Sequence, residues 1–249
     1  EILYELPDAP EEEQEPAVAD YPVTLFFTRE GYFKKITPQS LRMSGEQKLK
    51  EGDEITWQAE SRNNVELLFF TDRCQVYKCR AADFEDGKAS AMGAFVASTL
   101  GMDEGESPVF LVPTLDYRGW MLFLFQNGKC AKVPLAAYET KQNRRKLLNA
   151  YSDKSPLAKM VFIAEETELA IRTSAGRMLL VGTAQISEKT TRDSIGVAVI
   201  TLKKNQTVES VKPAAELELA NPHRYRVRTL PAAGALLREE DTAEQMTLL

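Results

Sequence analysis

From Tyr21 onward, hydrophobic and polar residues alternate as short β-rich runs divided by polar turns. VTLFFT (23–28) leads through REG into YFKKI (32–36), and VELLFFT (65–71) leads through DRC into QVYKC (75–79). WMLFLF (120–125) precedes KCAKV (129–133), TELAIRT (167–173) precedes RMLLV (177–181), and VAVITL (197–202) precedes QTVESV (206–211). Each pair is rich in β-branched and aromatic residues and reads as a β-hairpin. Asn127-Gly128 is the strongest turn signal, and Gly31, Gly176 and Asn205 suit a turn position with positive φ. Cys74 suits that position less well and points to a different turn geometry.

Aligned on the turn residue, the hairpins fall at 31, 74, 128, 176 and 205, with spacings of 43, 54, 48 and 29. Spacings near fifty residues predict a repeated unit of about four strands, with an atypical closing unit last. The expectation is an all-β, propeller-like array of about five four-stranded blades, closed so that few sheet edges are exposed. The alternative is a β-sandwich whose hairpins resemble one another by chance. The segments after the second strands, ITPQSL (36–41), CRAADF (79–84), VPLAAYE (133–139) and VKPAAEL (211–217), suit short turns at the rim. The one helix candidate is KQNRRKLLNAY (141–151), with Leu147, Leu148 and Tyr151 on one side; a basic interblade loop is the other reading.

Charge changes this picture only once it is placed along the chain. The 249 residues have a formal charge of -6, which by itself argues against a polyanion binder. Residues 1–20 hold eight acids and no Lys or Arg, and residues 213–249 hold six acids and four arginines. That leaves 23 acids and 27 bases in residues 21–212, a body of net +4. The expected division is an acidic linker or lead-in strand at 1–20, a β domain at 21–217, and a closing segment with an acidic tail at 218–249. The start lacks the basic segment and apolar core of a signal peptide, and no run approaches the roughly 20 apolar residues that span a bilayer. Glu1 in place of methionine reads as a fragment or processed chain. Three cysteines without a dense framework point to a reducing compartment.

Catalytic chemistry finds little to work with. His223 is the sole histidine, and no G-x-S-x-G accompanies it. Cys74 and Cys79 lack a second nearby pair for zinc, and alternation puts Cys79 on the same face as Tyr77, in the core. Neither a phosphate-binding P-loop nor a dinucleotide glycine fingerprint occurs, so no cofactor is expected in this fragment.

The bases carry more information. Four residues past the turn stand Lys35, Lys78 and Lys132, with Leu180 and Glu209 in the next two repeats, and Lys34, Lys129, Arg177, Lys203 and Lys204 lie close to turns. Equivalent positions fall on one side of a radial array, so these residues predict a basic arc around the rim. DNA carries one negative charge per roughly 1.7 Å of axis, and such an arc binds it without reading bases. Lys141, Arg144, Arg145 and Lys146 form a basic cluster, while Lys189 and Arg192 lie beside Thr190, Thr191 and Ser194, whose hydroxyls suit phosphate oxygens. Solvation of an exposed face is the competing explanation for each.

The hairpins LFFTREGYFKKI, LLFFTDRCQVYK and MLFLFQNGKCAKV, with TTRDSIGVAVITLKKNQTV (190–208), resemble the C-terminal domain of the A subunit of bacterial type IIA topoisomerases, that is, of DNA gyrase and topoisomerase IV. The resemblance covers roughly residues 21–217. It implies a β-pinwheel that bends double-stranded DNA around a basic edge and lacks the cleaving tyrosine. It also implies attachment to the A-subunit catalytic core and a B subunit in an A2B2 holoenzyme using ATP and Mg2+ elsewhere, cytoplasmic and nucleoid-associated, with no membrane. The stretch LRMSGEQKLKEGD (41–53) keeps Arg42, Gly45, Lys48 and Lys50 but not the seven-residue Gln-Arg-Arg-Gly-Gly-Arg-Gly box of gyrases. With five repeats rather than six, the chain looks more like topoisomerase IV. The expected DNA-contacting set therefore also includes Arg42, Lys48 and Lys50. A propeller-like protein-interaction module without DNA binding is the alternative function.

Overall fold

A computed structural model of the chain describes residues 17–141 and 144–243. The strands begin with β1 (Pro22–Thr28), β2 (Tyr32–Ile36), β3 (Ile55–Arg62), β4 (Glu66–Thr71), β5 (Val76–Arg80) and β6 (Ala94–Phe95). They continue with β7 (Pro108–Thr114), β8 (Trp120–Phe125), β9 (Lys129–Pro134), β10 (Lys146–Leu147) and β11 (Leu157–Ile163). The last are β12 (Glu168–Thr173), β13 (Arg177–Gly182), β14 (Val197–Ala198), β15 (Val208–Pro213) and β16 (Ala235–Leu236).

Among the described residues these strands form four four-stranded sheets, in the orders β3-β1-β2-β6, β10-β5-β4-β7, β11-β8-β9-β14 and β15-β12-β13-β16. The fold is all-β and propeller-like, with four blades rather than the expected five. The fifth hairpin does not exist: β14 pairs with β9 of blade 3, and β15 pairs with β12 of blade 4. Asn205 does adopt a left-handed turn (φ 67°), but that turn joins two blades instead of two partners. The first four hairpins form as expected (β1-β2, β4-β5, β8-β9, β12-β13). Cys74 has φ 54°, so its turn has the same handedness as those at Gly31, Gly128 and Gly176 despite its side chain.

Each of the first three blades is completed by a strand that the chain supplies only after building the next hairpin. β6 returns to β2, β10 to β5 and β14 to β9. Blade 4 is closed by the C-terminal segment, with Ala235 opposite Met178 and Leu236 opposite Arg177. The residues after each hairpin form short 3₁₀ turns, Ala81–Asp83, Leu135–Tyr138, Thr183–Gln185 and Ala214–Glu216, while the first is a one-and-a-half-turn helix, α1 (Pro38–Met43). Residues 142–143 of the helix candidate at 141–151 lie outside the described residues; the rest is instead strand and loop, where Leu147 pairs with Val76 and is buried, whereas Leu148 is exposed. Strand pairing with blade 2 overrides the helical spacing there.

Strand alternation sends successive side chains to opposite faces, and each face meets a different neighbour. Phe33, Leu25 and Phe27 of blade 1 pack against Tyr77, Leu67 and Phe69 of blade 2, with Cys79 on the same side as expected. Leu68, Phe70 and Val76 face Phe123, Ala131 and Val133 of blade 3. Leu122, Leu124 and Cys130 face Ile171, Leu179 and Val181 of blade 4. The outer face of blade 4 is covered by the C-terminal segment through Tyr225, Leu217 and Leu237, and on that of blade 1 Phe26, Ile36 and Ile55 pack with Leu41 and Ala89. Among the described residues, none of these clusters joins blade 1 to blade 4. Both end blades have local caps of their own.

Candidate nucleic-acid interface

The repeat places Lys35, Lys78 and Lys132 at equivalent points, but on the face each blade turns toward the next. In blades 1 and 3, that residue bridges the returning segment in parallel, Lys35 with Asp86 and Lys132 with Glu188; in blade 2, the Lys78 N–H donates to Arg145 O at 2.7 Å. Lys35 and Lys132 are only 3% exposed. The Lys35 amine donates to Asn63 Oδ1 at 2.5 Å and lies 3.3 Å from Asp86. Lys132 donates to Thr183 O at 3.1 Å, pairs with Glu166, and sits 4.8 Å from the centre of the Trp120 ring. Lys78 is half-buried, donates to Thr140 Oγ1 at 3.0 Å and lies 5.2 Å from the Tyr117 ring centre. Burial lowers its pKa, opposed by Glu66 and Glu139. In blade 4 the equivalent Leu180 packs under Tyr225. The regularity is that of a packing position: an ammonium resting on an aromatic face with its protons given to oxygen acceptors.

The remaining bases separate by exposure and partner. Lys34 is buried, at 4% exposed. Lys129, Arg177, Lys189 and Arg192 are half-buried; Arg177 donates to Gly234 O at 2.8 Å and Arg192 to Ala137 O at 3.1 Å. Lys50 is exposed but paired with Glu30 at 2.8 Å, and Lys146 with Asp103 at 3.0 Å. The hydrogen-bonded carboxylate partner raises the pKa of each amine. Arg42, Lys48, Arg144, Arg145, Lys203 and Lys204 are exposed, and none forms an ion pair among the described residues. Arg144 and Arg145 lie on the segment returning to blade 2, and Lys203 and Lys204 precede β15 of blade 4.

Sequence reasoning passed over three arginines. Arg224, Arg226 and Arg228 lie on the segment that closes blade 4, the counterpart of the Arg144–Arg145 segment, and Arg224 and Arg226 reach neighbouring groups there. Arg226 bridges Leu180 in parallel and reaches Glu168 at 3.0 Å, while Arg224 donates to Leu236 O at 3.3 Å. The alternation Arg-x-Arg-x-Arg within NPHRYRVR is the signal for them. His223, in the same segment, has Nδ1 3.1 Å from an Arg226 nitrogen.

Among the described residues no group of three or more His, Cys, Asp or Glu could hold a metal ion, and no helix is long and apolar enough to cross a membrane. Burial raises the thiol pKa of Cys74, of Cys79 and of Cys130, the last to about 12. All three are therefore protonated at pH 8, and the thiolate is the reactive form. A disulfide reagent added to the folded chain at that pH is expected to give essentially no rapid reaction, and three equivalents after denaturation. Fast reaction of one native thiol would contradict this burial.

A sequence profile described as "DNA gyrase C-terminal domain, beta-propeller" matches residues 168–215, the hairpin and outer strand of blade 4. The chain is 25% identical over 202 residues to the DNA topoisomerase 4 A subunit of Bacillus subtilis, covering 79% of this chain and 25% of that protein. In fold it is similar to a crystal structure of the C-terminal domain of DNA topoisomerase IV, with a TM-score of 0.69, 21% identity, and coverage of 90% of this chain and 76% of the other. The chain is thus similar to C-terminal domains of the gyrase A and topoisomerase IV A family. The E. coli ParC C-terminal domain has a similar fold, with a TM-score of 0.65, 14% identity and coverage of 88% and 94%. The chain spans about a quarter of the length of the B. subtilis protein.

Proposed function

We propose that this chain is the non-catalytic DNA-binding and bending domain of an ATP-dependent type IIA topoisomerase A subunit. It presents a duplex segment to the catalytic core of that protein, within an A2B2 assembly completed by B subunits. The missing gyrase box in residues 41–53 and the similarity to topoisomerase 4 proteins favour topoisomerase IV-like handling over gyrase-style wrapping. The observation that carries the reading is the set of exposed bases without an ion pair: Arg42, Lys48, Arg144, Arg145, Lys203 and Lys204. Such side chains engage phosphate without first breaking an internal contact, and arginine does so bidentately. Contacts of this kind read no base code, so sequence preference is low.

The test replaces Arg144, Arg145, Lys203 and Lys204 together by alanine. Each lost phosphate contact lowers the slope of log K against log salt by roughly 0.9. A fall of roughly 3–4 in the slope is expected, with weaker binding at low salt and unchanged thermal unfolding. An unchanged slope would sink the assignment. A second reading, a protein-docking module, is favoured by one observation: Phe95, Leu148 and Leu236 are 44%, 59% and 54% exposed on or beside the closing strands. It requires that the unsubstituted chain fail to bind duplex DNA at low salt.

A further inference from the structure

Lys34 breaks the pattern of the repeat. Three residues past the turn, the other blades carry Tyr77, Ala131 and Leu179, each buried against the preceding blade. Among the described residues no blade precedes blade 1, and the space is taken by α1 and the loop that follows it. There Lys34 is 4% exposed, and its ammonium donates to Gln47 Oε1 at 3.0 Å, Lys48 O at 2.9 Å and Ala89 O at 3.1 Å. Those three acceptors use all three protons. They come from the loop on one side and the segment returning to blade 1 on the other, and the loop is further tied by Lys48 N–H to Ala89 O at 2.8 Å. All three acceptors are neutral, whereas Lys35 and Lys132 have carboxylate partners.

Room for the stem is provided by Gly93. A Cβ there would lie 2.7 Å from Lys34 Cγ and 2.4 Å from Phe33 O. Burial lowers the Lys34 pKa, with no opposing charge contributing. An apolar residue would cap the end of the array at lower cost. What the lysine adds is a fixed path for a polar loop that carries Arg42 before it and Lys48 and Lys50 within it.

The structure assigns Lys34 as a positioning residue: inaccessible to DNA itself, it holds the 44–50 loop so that Arg42 and Lys48 face the duplex. This rests on the DNA-binding reading above and deepens it. In the full chain, Lys34→Met keeps the stem and removes the three bonds, while Gln47→Ala removes one acceptor at the surface and leaves the core intact. For Lys34→Met, amide exchange at residues 44–50 is expected to accelerate at least tenfold while β8 and β12 amides keep their rates. The DNA salt slope is expected to fall by roughly 2, about 0.9 for each of Arg42 and Lys48. Gln47→Ala moves both quantities less, in the same direction, and decides the matter if Lys34→Met loses its fold.

Unchanged loop exchange overturns the inference. So does a loosened loop with an unchanged salt slope, the result for a lysine whose role is structural only. Failure of the DNA-binding reading is separately visible, because the Arg144, Arg145, Lys203 and Lys204 replacement would then also leave the slope unmoved.

Discussion

Replacing Lys132 with alanine is expected to lower the stability of the chain by roughly 2–4 kcal/mol, measured by equilibrium denaturation. The alkyl stem is buried between blades 3 and 4, and its loss leaves a void beside Trp120. The Thr183 carbonyl loses its 3.1 Å partner. Breaking a buried pair costs about 3–5 kcal/mol in general, but the Glu166 side chain is 39% exposed and can rehydrate, which lowers the figure. Lys132→Met keeps the stem and should cost about 1–2 kcal/mol, the loss of charged hydrogen bonds alone. If alanine and methionine cost the same, packing of the stem contributes nothing and this account is wrong.

The pair also sets a pH dependence. Partial burial alone would raise the Glu166 carboxyl, but hydrogen bonds from Lys132 and Thr183 and the Lys132 charge outweigh it and hold the pKa below its ordinary 4.5. A carboxyl depressed in the folded state contributes stability above its unfolded pKa and loses it as pH falls through the folded value. The stability difference between the parent and Glu166→Gln should therefore be constant above about pH 5 and shrink steadily below the ordinary carboxylate range. A difference that persists undiminished at about pH 3, below that range, would show that the ion pair is not its source.

Lys132 also marks where sequence reasoning succeeded and where it stopped. The turn-based alignment grouped Lys35, Lys78 and Lys132 correctly as equivalent, because period-2 alternation within a hairpin is a local property. Which face of the hairpin meets another blade is not local: it depends on how β6, β10 and β14 return across the array. A lysine at that position serves either solvent or a seam, and its sequence neighbours are alike in both cases. The fifth blade failed for a related reason. β14 and β15 are strands separated by a left-handed Asn205, everything a hairpin requires locally, but each finds a better partner in β9 or β12. The short spacing of 29 was the one sign that the unit was incomplete. Cys74 shows the converse, because the turn geometry imposed by flanking strands outweighs the residue's own preference.

The second large effect concerns Gly128, where local and long-range demands coincide. Its φ is +82°, and a Cβ would lie 2.1 Å from the Ile200 carbonyl oxygen, a backbone atom with little room to move. The Gly128 carbonyl in turn accepts from Val199 N–H at 3.1 Å and Ile200 N–H at 2.9 Å. The same short segment exchanges bonds with Ala232: Thr201 N–H donates to Ala232 O at 2.9 Å, and Ala232 N–H to Val199 O at 3.1 Å. A hairpin turn of blade 3 is thus linked through residues 199–201 to the C-terminal segment that closes blade 4. Gly128→Ala adds about 1–2 kcal/mol for the left-handed backbone and about 1–3 kcal/mol for overpacking, roughly 2–5 kcal/mol together. Gly176 is the internal control, with φ +69° but nothing within 4 Å of an added Cβ. Gly176→Ala should therefore cost only the backbone component, about 1–2 kcal/mol. Amide exchange in Gly128→Ala should accelerate at Thr201 and Ala232 ahead of the β4–β5 hairpin, because the displaced segment is the link to the closing strand. Equal destabilisation by the two alanines would mean that the close approach to Ile200 contributes nothing, and that turn geometry alone explains the glycine.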